Sequence, residues 1–213
     1  VSASDFALAL HALPSQALLL QGKQGGSRKG PLPEQASHYY SQPQLQVSGQ
    51  IQLGKRRLPV QGRAWLDHEW SEELLHPEAV GWDWIGMNLD DGASLTAFRL
   101  RRADGSALWA GGSYRPAGGE AARIFQPGDV AFEPLRHWTS PGTGIRYPVE
   151  WRITTPAGRF VVASLLDAQE LDSRRSTGAI YWEGLSELKS ADGGSRLGLG
   201  YLELTGYGAR LAL

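Results

Sequence analysis

The sequence contains no cysteine, which excludes disulfide bonds, thiolate catalysis and cysteine-based metal sites. It also lacks a long hydrophobic run, since the longest, at residues 6–10 and 17–20, fall far short of the roughly 20 residues of a transmembrane helix. Neither sign of charge dominates: 21 Lys and Arg stand against 22 Asp and Glu, and the formal net charge is −1. We therefore do not expect the protein to bind nucleic acid or to be an integral membrane protein.

Long amphipathic helices are not expected either, because no long stretch repeats its apolar positions every 3.6 residues. Short alternating segments, separated by turns among the 27 Gly and 12 Pro, predict strands instead. A hairpin at Asp90-Asp91-Gly92 is predicted to join strands at 82–89 and 94–101. This pattern predicts an all-β antiparallel fold, a barrel or a sandwich, and a barrel of this size encloses one small-ligand cavity.

The clearest break in the sequence is the polar, Gly- and Pro-rich segment 22–36, which we predict to be a linker. Residues 1–21 are then the terminal strands of a preceding domain, and residues 37–213 form a C-terminal barrel. The sequence does not begin with Met and opens in what resembles the middle of a strand. We therefore expect a fragment or a processed product.

Residues 62–70 combine tryptophans with acidic residues, which are costly to bury unless a site uses them. Alternation along a strand places Trp65 and Asp67 on one face, and in an earlier strand it places His38 and Tyr40 together. If both faces line the cavity, they predict acid–base chemistry on an apolar substrate. Asp67, its pKa raised beside indole, would protonate a carbon–carbon double bond. Trp65 and Tyr40 would stabilise the carbocation, and His38 would activate the attacking water.

Four more side chains near this strand are candidates for ligand binding: Arg63, Glu69, Trp82 and Trp84. An ion pair between Asp67 and Arg63 is an equally weighted alternative to a catalytic Asp67. The tryptophans are also common as core residues. His68 and His76 are separated by a predicted turn and lack the H-E-x-x-H spacing, so no metal site and no cofactor is expected.

Several motifs are similar to those of one family, in order over about residues 36–207. They are SHYYSQP at 37–43, GRAWLDHEWS at 62–71, GWDW at 81–84, LDDG at 89–92, YWEG at 181–184 and GYLELTGY at 200–207. These motifs resemble the AttH-like proteins, which are grouped with carotenoid 1,2-hydratases.

The resemblance implies a lipocalin-like architecture of two barrel-type domains, of which this chain holds the C-terminal one and the last strands of the first. In the hydratase branch, a His-x-aromatic pair and an aromatic-x-Asp pair are implicated in the reaction. Here the matching residues are His38 with Tyr40 and Trp65 with Asp67. Tyr40 stands where the hydratases more often have Trp, and Trp65 where they more often have Tyr.

The resemblance implies hydration or isomerisation of an isoprenoid or lipid alkene. The alternative is a non-catalytic carrier of a small lipophilic ligand in the cell envelope or periplasm, associated with an ABC export system. AttH-like members are commonly described as lipocalin-like predicted hydrolases linked to transport systems. A third possibility, a purely structural β domain, would be favoured by a barrel filled with side chains and without a cavity.

Overall fold

A computed structural model describes residues 1–72, 75–119, 121–175, 178–192 and 194–210 of the chain. Within these residues the secondary structure is fifteen strands and one 3₁₀ turn, Pro127–Asp129. The strands are β1 (Phe6–Leu13), β2 (Leu19–Leu20), β3 (Gly26–Arg28), β4 (Ala36–Leu53), β5 (Arg56–Trp70), β6 (Gly81–Leu89), β7 (Ser94–Arg101), β8 (Ala107–Arg115), β9 (Arg123–Ile124), β10 (Ala131–Thr139), β11 (Arg146–Thr155), β12 (Gly158–Ser164), β13 (Glu170–Ser173), β14 (Ala179–Ser190) and β15 (Arg196–Leu204). Their pairings are antiparallel, so the predicted all-β fold is confirmed. None of the described residues belongs to a helix with the length and hydrophobicity needed to cross a membrane.

Strand β4 is the centre of a five-stranded sheet and pairs with β1, β2, β3 and β5. These pairings bring residues from 1–21, from the predicted linker 22–36 and from β5 into one sheet. The predicted linker itself contributes β3. The division of the chain into domains at residues 22–36 stays a prediction.

The second sheet has ten strands and curls into an antiparallel half-barrel. Its order is β10-β11-β12-β14-β15-β6-β7-β8-β9, with β13 beside β14. Alternation along β6 and β7 gives this part of the sheet two apolar faces. Met87 and Leu95 point into the main core, whereas Trp84, Phe98 and Leu100 belong to a separate cluster on the opposite face.

The inside of the curled sheet is a filled core. Trp151, Trp182 and Tyr147 are fully buried there and pack with aliphatic side chains from most of the strands. The sequence predicted a barrel that encloses a ligand cavity, and a filled barrel without a cavity would have favoured a purely structural domain. The structure fills the interior, because its large aromatic side chains take up the space, and it places a cavity between the two sheets instead.

A β-bulge around Gln44 fixes the five-stranded sheet on the half-barrel. Gln44 has a left-handed φ of 54°. Its backbone N–H donates to the Asn88 side chain at 2.7 Å, and its side-chain amide donates to two carbonyls of the β6–β7 hairpin. Arg63 of β5 reaches the same hairpin and pairs with Asp90 at 2.7 Å. These bonds hold β4 and β5 over the outer face of the ten-stranded sheet.

Candidate active site

A cleft of about 180 Å³ lies between the five-stranded sheet and the outer face of β6, β7 and β15. One wall is aromatic and aliphatic, and the facing strands add ionisable and hydroxyl side chains, as is typical of small-ligand sites. The lining residues are Lys29, Ser37, Tyr39, Asp67, Glu69, Ser71, Leu75, Trp82, Trp84, Phe98, Leu100 and Glu203. Four of the predicted site residues are among them: Asp67, Glu69, Trp82 and Trp84.

Asp67 faces the cleft from β5, directly opposite Ser41 of β4. Its carboxylate oxygens accept hydrogen bonds from Ser41 Oγ at 2.5 Å and from Trp65 Nε1 at 2.9 Å. Burial raises the pKa of Asp67 above its ordinary value, and hydrogen bonds from Ser41, Trp65 and Tyr39 oppose that rise. The residue still touches solvent in the open cleft, so its desolvation is partial and the hydrogen bonds support an ionised carboxylate.

Glu203 is a functional candidate that the sequence analysis missed. It lies on β15, between Trp84 of β6 and Glu183 of β14 in the strand pairing. Burial raises the pKa of Glu203 to about 7; the charge of Glu183 adds to the rise, and a hydrogen bond from Trp82 opposes it. Glu203 therefore takes up and releases a proton near neutral pH. The sequence signal that could have identified Glu203 was an acidic residue between Leu202 and Leu204, both of which are buried.

Lys29 is the second residue that sequence reasoning missed, because it lies in the predicted linker. Its ammonium pairs with Glu69 at 2.8 Å, and the Lys29 side chain is only 15% exposed. Lys29 Nζ also lies 4.8 Å from the ring centroid of Tyr39 and 4.4 Å from that of Phe98. These contacts stabilise a cation at one end of an otherwise apolar wall. The glycine-rich sequence around Lys29 did not indicate that its side chain would be buried.

The structure does not bring His38 and Tyr40 into the cleft. Directly opposed residues of an antiparallel pair share a face, and His38 lies opposite Trp70 while Tyr40 lies opposite His68. Both are therefore on the face opposite to that of Asp67. There His38 stacks on Trp70 and Tyr40 on His68, each with ring centroids 5.3 Å apart. The prediction that His38 and Tyr40 converge with Asp67 is therefore wrong. Strand register decides which residues of two strands share a face, and alternation within one strand does not reveal the register.

Arg63 and Trp65 lie beside the cleft in different roles. Arg63 pairs with Asp90, so the alternative of an Arg63–Asp67 ion pair is not what the structure shows. Trp65 donates to Asp67 and meets Trp84 edge-on, with ring centroids 6.4 Å apart. Trp65 thus positions the carboxylate from the side, and Trp84 lines the cleft itself.

Within the part of the chain that the structure describes, no group of three or more His, Asp or Glu side chains is arranged to hold a metal ion.

A family model described as AttH-like matches residues 1–207. The chain belongs to the AttH-like family. A crystal structure assigned to AttH from Nitrosomonas europaea is 51% identical to this AttH-like chain, with a TM-score of 0.91, and the match covers 97% of this chain and 64% of that one. The crystal structure of kievitone hydratase from Nectria haematococca is 16% identical, with a TM-score of 0.75, and the match covers 98% of this chain and 64% of that one. No curated protein matches the chain.

These comparisons confirm the AttH-like resemblance and extend it to residue 1. The likeness to kievitone hydratase shows that the two proteins share a fold. The AttH-like chain spans 64% of the length of each of these two solved structures.

Proposed function

We propose that the cleft adds water to, or removes it from, a carbon–carbon double bond of a lipophilic substrate of the isoprenoid or lipid class. The observation that carries this proposal is a pair of carboxyl groups, Asp67 and Glu203, in one cleft with an aromatic wall. Burial raises the pKa of both groups, to about 7 for Glu203, but Asp67 accepts two hydrogen bonds that oppose the rise and favour its ionised form. Two carboxyl groups in different surroundings are suited to acid and base roles.

In the hydration direction, Glu203 donates its proton to one alkene carbon, and the π electrons form the new C–H bond. The neighbouring carbon becomes cationic and is stabilised by the faces of Trp82 and Trp84. Water attacks this carbon through its oxygen, and the proton that water loses passes to the Asp67 carboxylate. This proposal moves the acid role from Asp67, as the sequence suggested, to Glu203, because a carboxyl group with a pKa of about 7 can donate a proton near neutral pH.

A carrier is the second candidate, and the apolar wall favours it. Leu75, Trp82, Trp84, Phe98 and Leu100 line the cleft and suit a lipophilic ligand whether or not it reacts. Such a carrier would hold its ligand in the cell envelope for an ABC export system. It requires no contribution from the carboxyl pair.

The two functions are separated by one experiment. Lipids extracted from the source are incubated with the complete protein in ¹⁸O-labelled water, and products are analysed by mass spectrometry. The hydratase proposal expects one ¹⁸O to enter an alkene, with a loss of at least about 100-fold in rate for Asp67→Asn and for Glu203→Gln. Glu187→Gln is the matched control, since Glu187 lies on neighbouring β14, pairs with Lys189 and does not line the cleft.

Unchanged rates in both cleft variants would contradict the assignment of the carboxyl pair. A ligand that is retained by the protein but never altered would support the carrier instead.

A further inference from the structure

A buried chain of hydrogen bonds leads from Asp67 away from the cleft. Ser41 donates to Asp67 Oδ1, and Ser41 Oγ in turn accepts from Gln21 Nε2 at 3.0 Å. Ser41 is 0% exposed and Gln21 is 3% exposed. Gln21 follows β2, in the segment that the sequence analysis assigned to a preceding domain, and it approaches β4 from the side opposite to β5.

The other end of the Gln21 amide is anchored on the ten-stranded sheet. Its Oε1 lies 2.9 Å from Ser113 Oγ and 3.3 Å from Thr96 Oγ1, and either hydroxyl can donate to it. The two hydroxyls are 2.9 Å apart, and the backbone N–H of Ser113 donates to Thr96 Oγ1 at 3.0 Å. Thr96 and Ser113 are almost completely buried.

These contacts give the chain a direction. A carbonyl oxygen can only accept, so the hydroxyl of Ser113 or Thr96 that bonds to Gln21 Oε1 is the donor. The amino end of Gln21 donates to Ser41, and Ser41 donates to Asp67. Hydrogen bonds that run in one sense polarise one another and become stronger in a buried setting.

We propose that Gln21 is a positioning residue for Asp67, which holds the Ser41 hydroxyl so that its hydrogen points at the carboxylate. The side-chain amide of Gln21 donates to a lone pair of Ser41 Oγ, so the hydroxyl hydrogen of Ser41 points towards Asp67. The relay thus keeps Asp67 ionised and in place as a proton acceptor. The description of Asp67 as the base rests on the proposed function, whereas the relay itself does not.

Other titratable groups also face Asp67. Glu69 is on the same strand, Glu203 is on β15, and Lys29 approaches from the segment after β3. Tyr39 of β4 hydrogen-bonds to both Ser41 and Asp67, so it touches the relay itself. A control variant elsewhere on β4 is therefore needed to assign a change at Asp67 to Gln21.

The first test uses the unmodified protein. NMR is used to follow the side-chain amide of Gln21 and the carboxyl carbon of Asp67 across a pH titration, with Asp67→Asn for assignment. The proposal expects the Gln21 amide resonances to shift with the same midpoint as the Asp67 carboxyl, and to lose this shift in Asp67→Asn. Gln21 resonances that do not respond to Asp67 would overturn it.

The second test compares two buried glutamines. Gln21→Met keeps the length of the side chain but removes the donor to Ser41, so the Asp67 titration midpoint is expected to move to higher pH. Gln42→Met is the matched control, because Gln42 is also buried and donates instead to the carbonyl of Gln16 at 2.8 Å. A purely structural role for Gln21 predicts that both variants leave the midpoint unchanged or move it equally, which would reject the proposal.

The two proposals fail independently. Full turnover in Asp67→Asn would refute the catalytic assignment and leave the relay intact. Gln21 amide resonances that do not shift when Asp67 titrates would refute the relay and leave the catalytic assignment intact.

Discussion

Glu203→Gln is expected to remove a pH dependence of stability that the natural protein has. The pKa of Glu203 is about 7 in the folded protein against 4.5 as the ordinary value, so the folded state binds this proton more tightly than the unfolded state. The resulting stability is fully present below pH 4.5 and is lost as pH rises through about 7. One pKa unit corresponds to about 1.4 kcal/mol, so the difference amounts to between about 3 and 4 kcal/mol at most. Solvent in the open cleft lowers this figure.

The measurement is urea-induced unfolding of both proteins at several pH values from 5 to 8. Relative to Glu203→Gln, the natural protein should lose free energy of unfolding up to about pH 7 and level off above it. Glu183→Gln is the matched variant: it removes the like charge that raises the pKa of Glu203 but keeps Glu203, so the loss should be smaller and should end at lower pH. If the natural protein and Glu203→Gln change in parallel with pH, the reasoning about Glu203 is refuted.

Three further substitutions test other parts of the structure. A Cβ at Gly86 would lie 2.3 Å from the Trp84 ring, so Gly86→Ala should displace this indole. The displacement should change the tryptophan fluorescence spectrum, and an unchanged spectrum would contradict the packing. Lys29→Met should destabilise the fold by about 1 kcal/mol in urea unfolding, through its lost cation–π contacts, whereas Lys23→Met at an exposed position should change it little. Asp83→Asn removes a fully buried carboxylate that pairs with two arginines, and it should lower the free energy of unfolding by about 3 kcal/mol or more in the same assay. An unchanged free energy of unfolding would show that the pairs contribute no net stability.

Local pattern was enough to predict much of the strand framework. The predicted strands at 82–89 and 94–101, joined at Asp90-Asp91-Gly92, correspond to β6 (Gly81–Leu89) and β7 (Ser94–Arg101). Hairpin turn residues and alternating apolar positions act between near neighbours, so they are visible in the sequence. The same local chemistry identified Asp67, Glu69, Trp82 and Trp84, which the fold gathers in one cleft.

Long-range placement could not be predicted in the same way. Lys29 and Glu203 reach the cleft from distant parts of the sequence, one from a segment with the composition of a linker. His38 and Tyr40 sit on a strand adjacent to Asp67, but the pairing register turns them to the other face. A shift of one residue in that register would exchange the two faces, because side chains alternate along a strand.

The sequence by itself determined that the chain is an antiparallel β protein, that it resembles the AttH-like family, and that Asp67 shares a strand face with Trp65 and Glu69. These properties follow from turn residues, motifs and alternation within single strands. Only the tertiary structure decided that this face meets β6, β7 and β15 outside the half-barrel, rather than lining its interior. It also decided that Ser41 and Tyr39, not His38 and Tyr40, accompany Asp67, because strand register and the packing of large aromatic residues arise from contacts between distant segments.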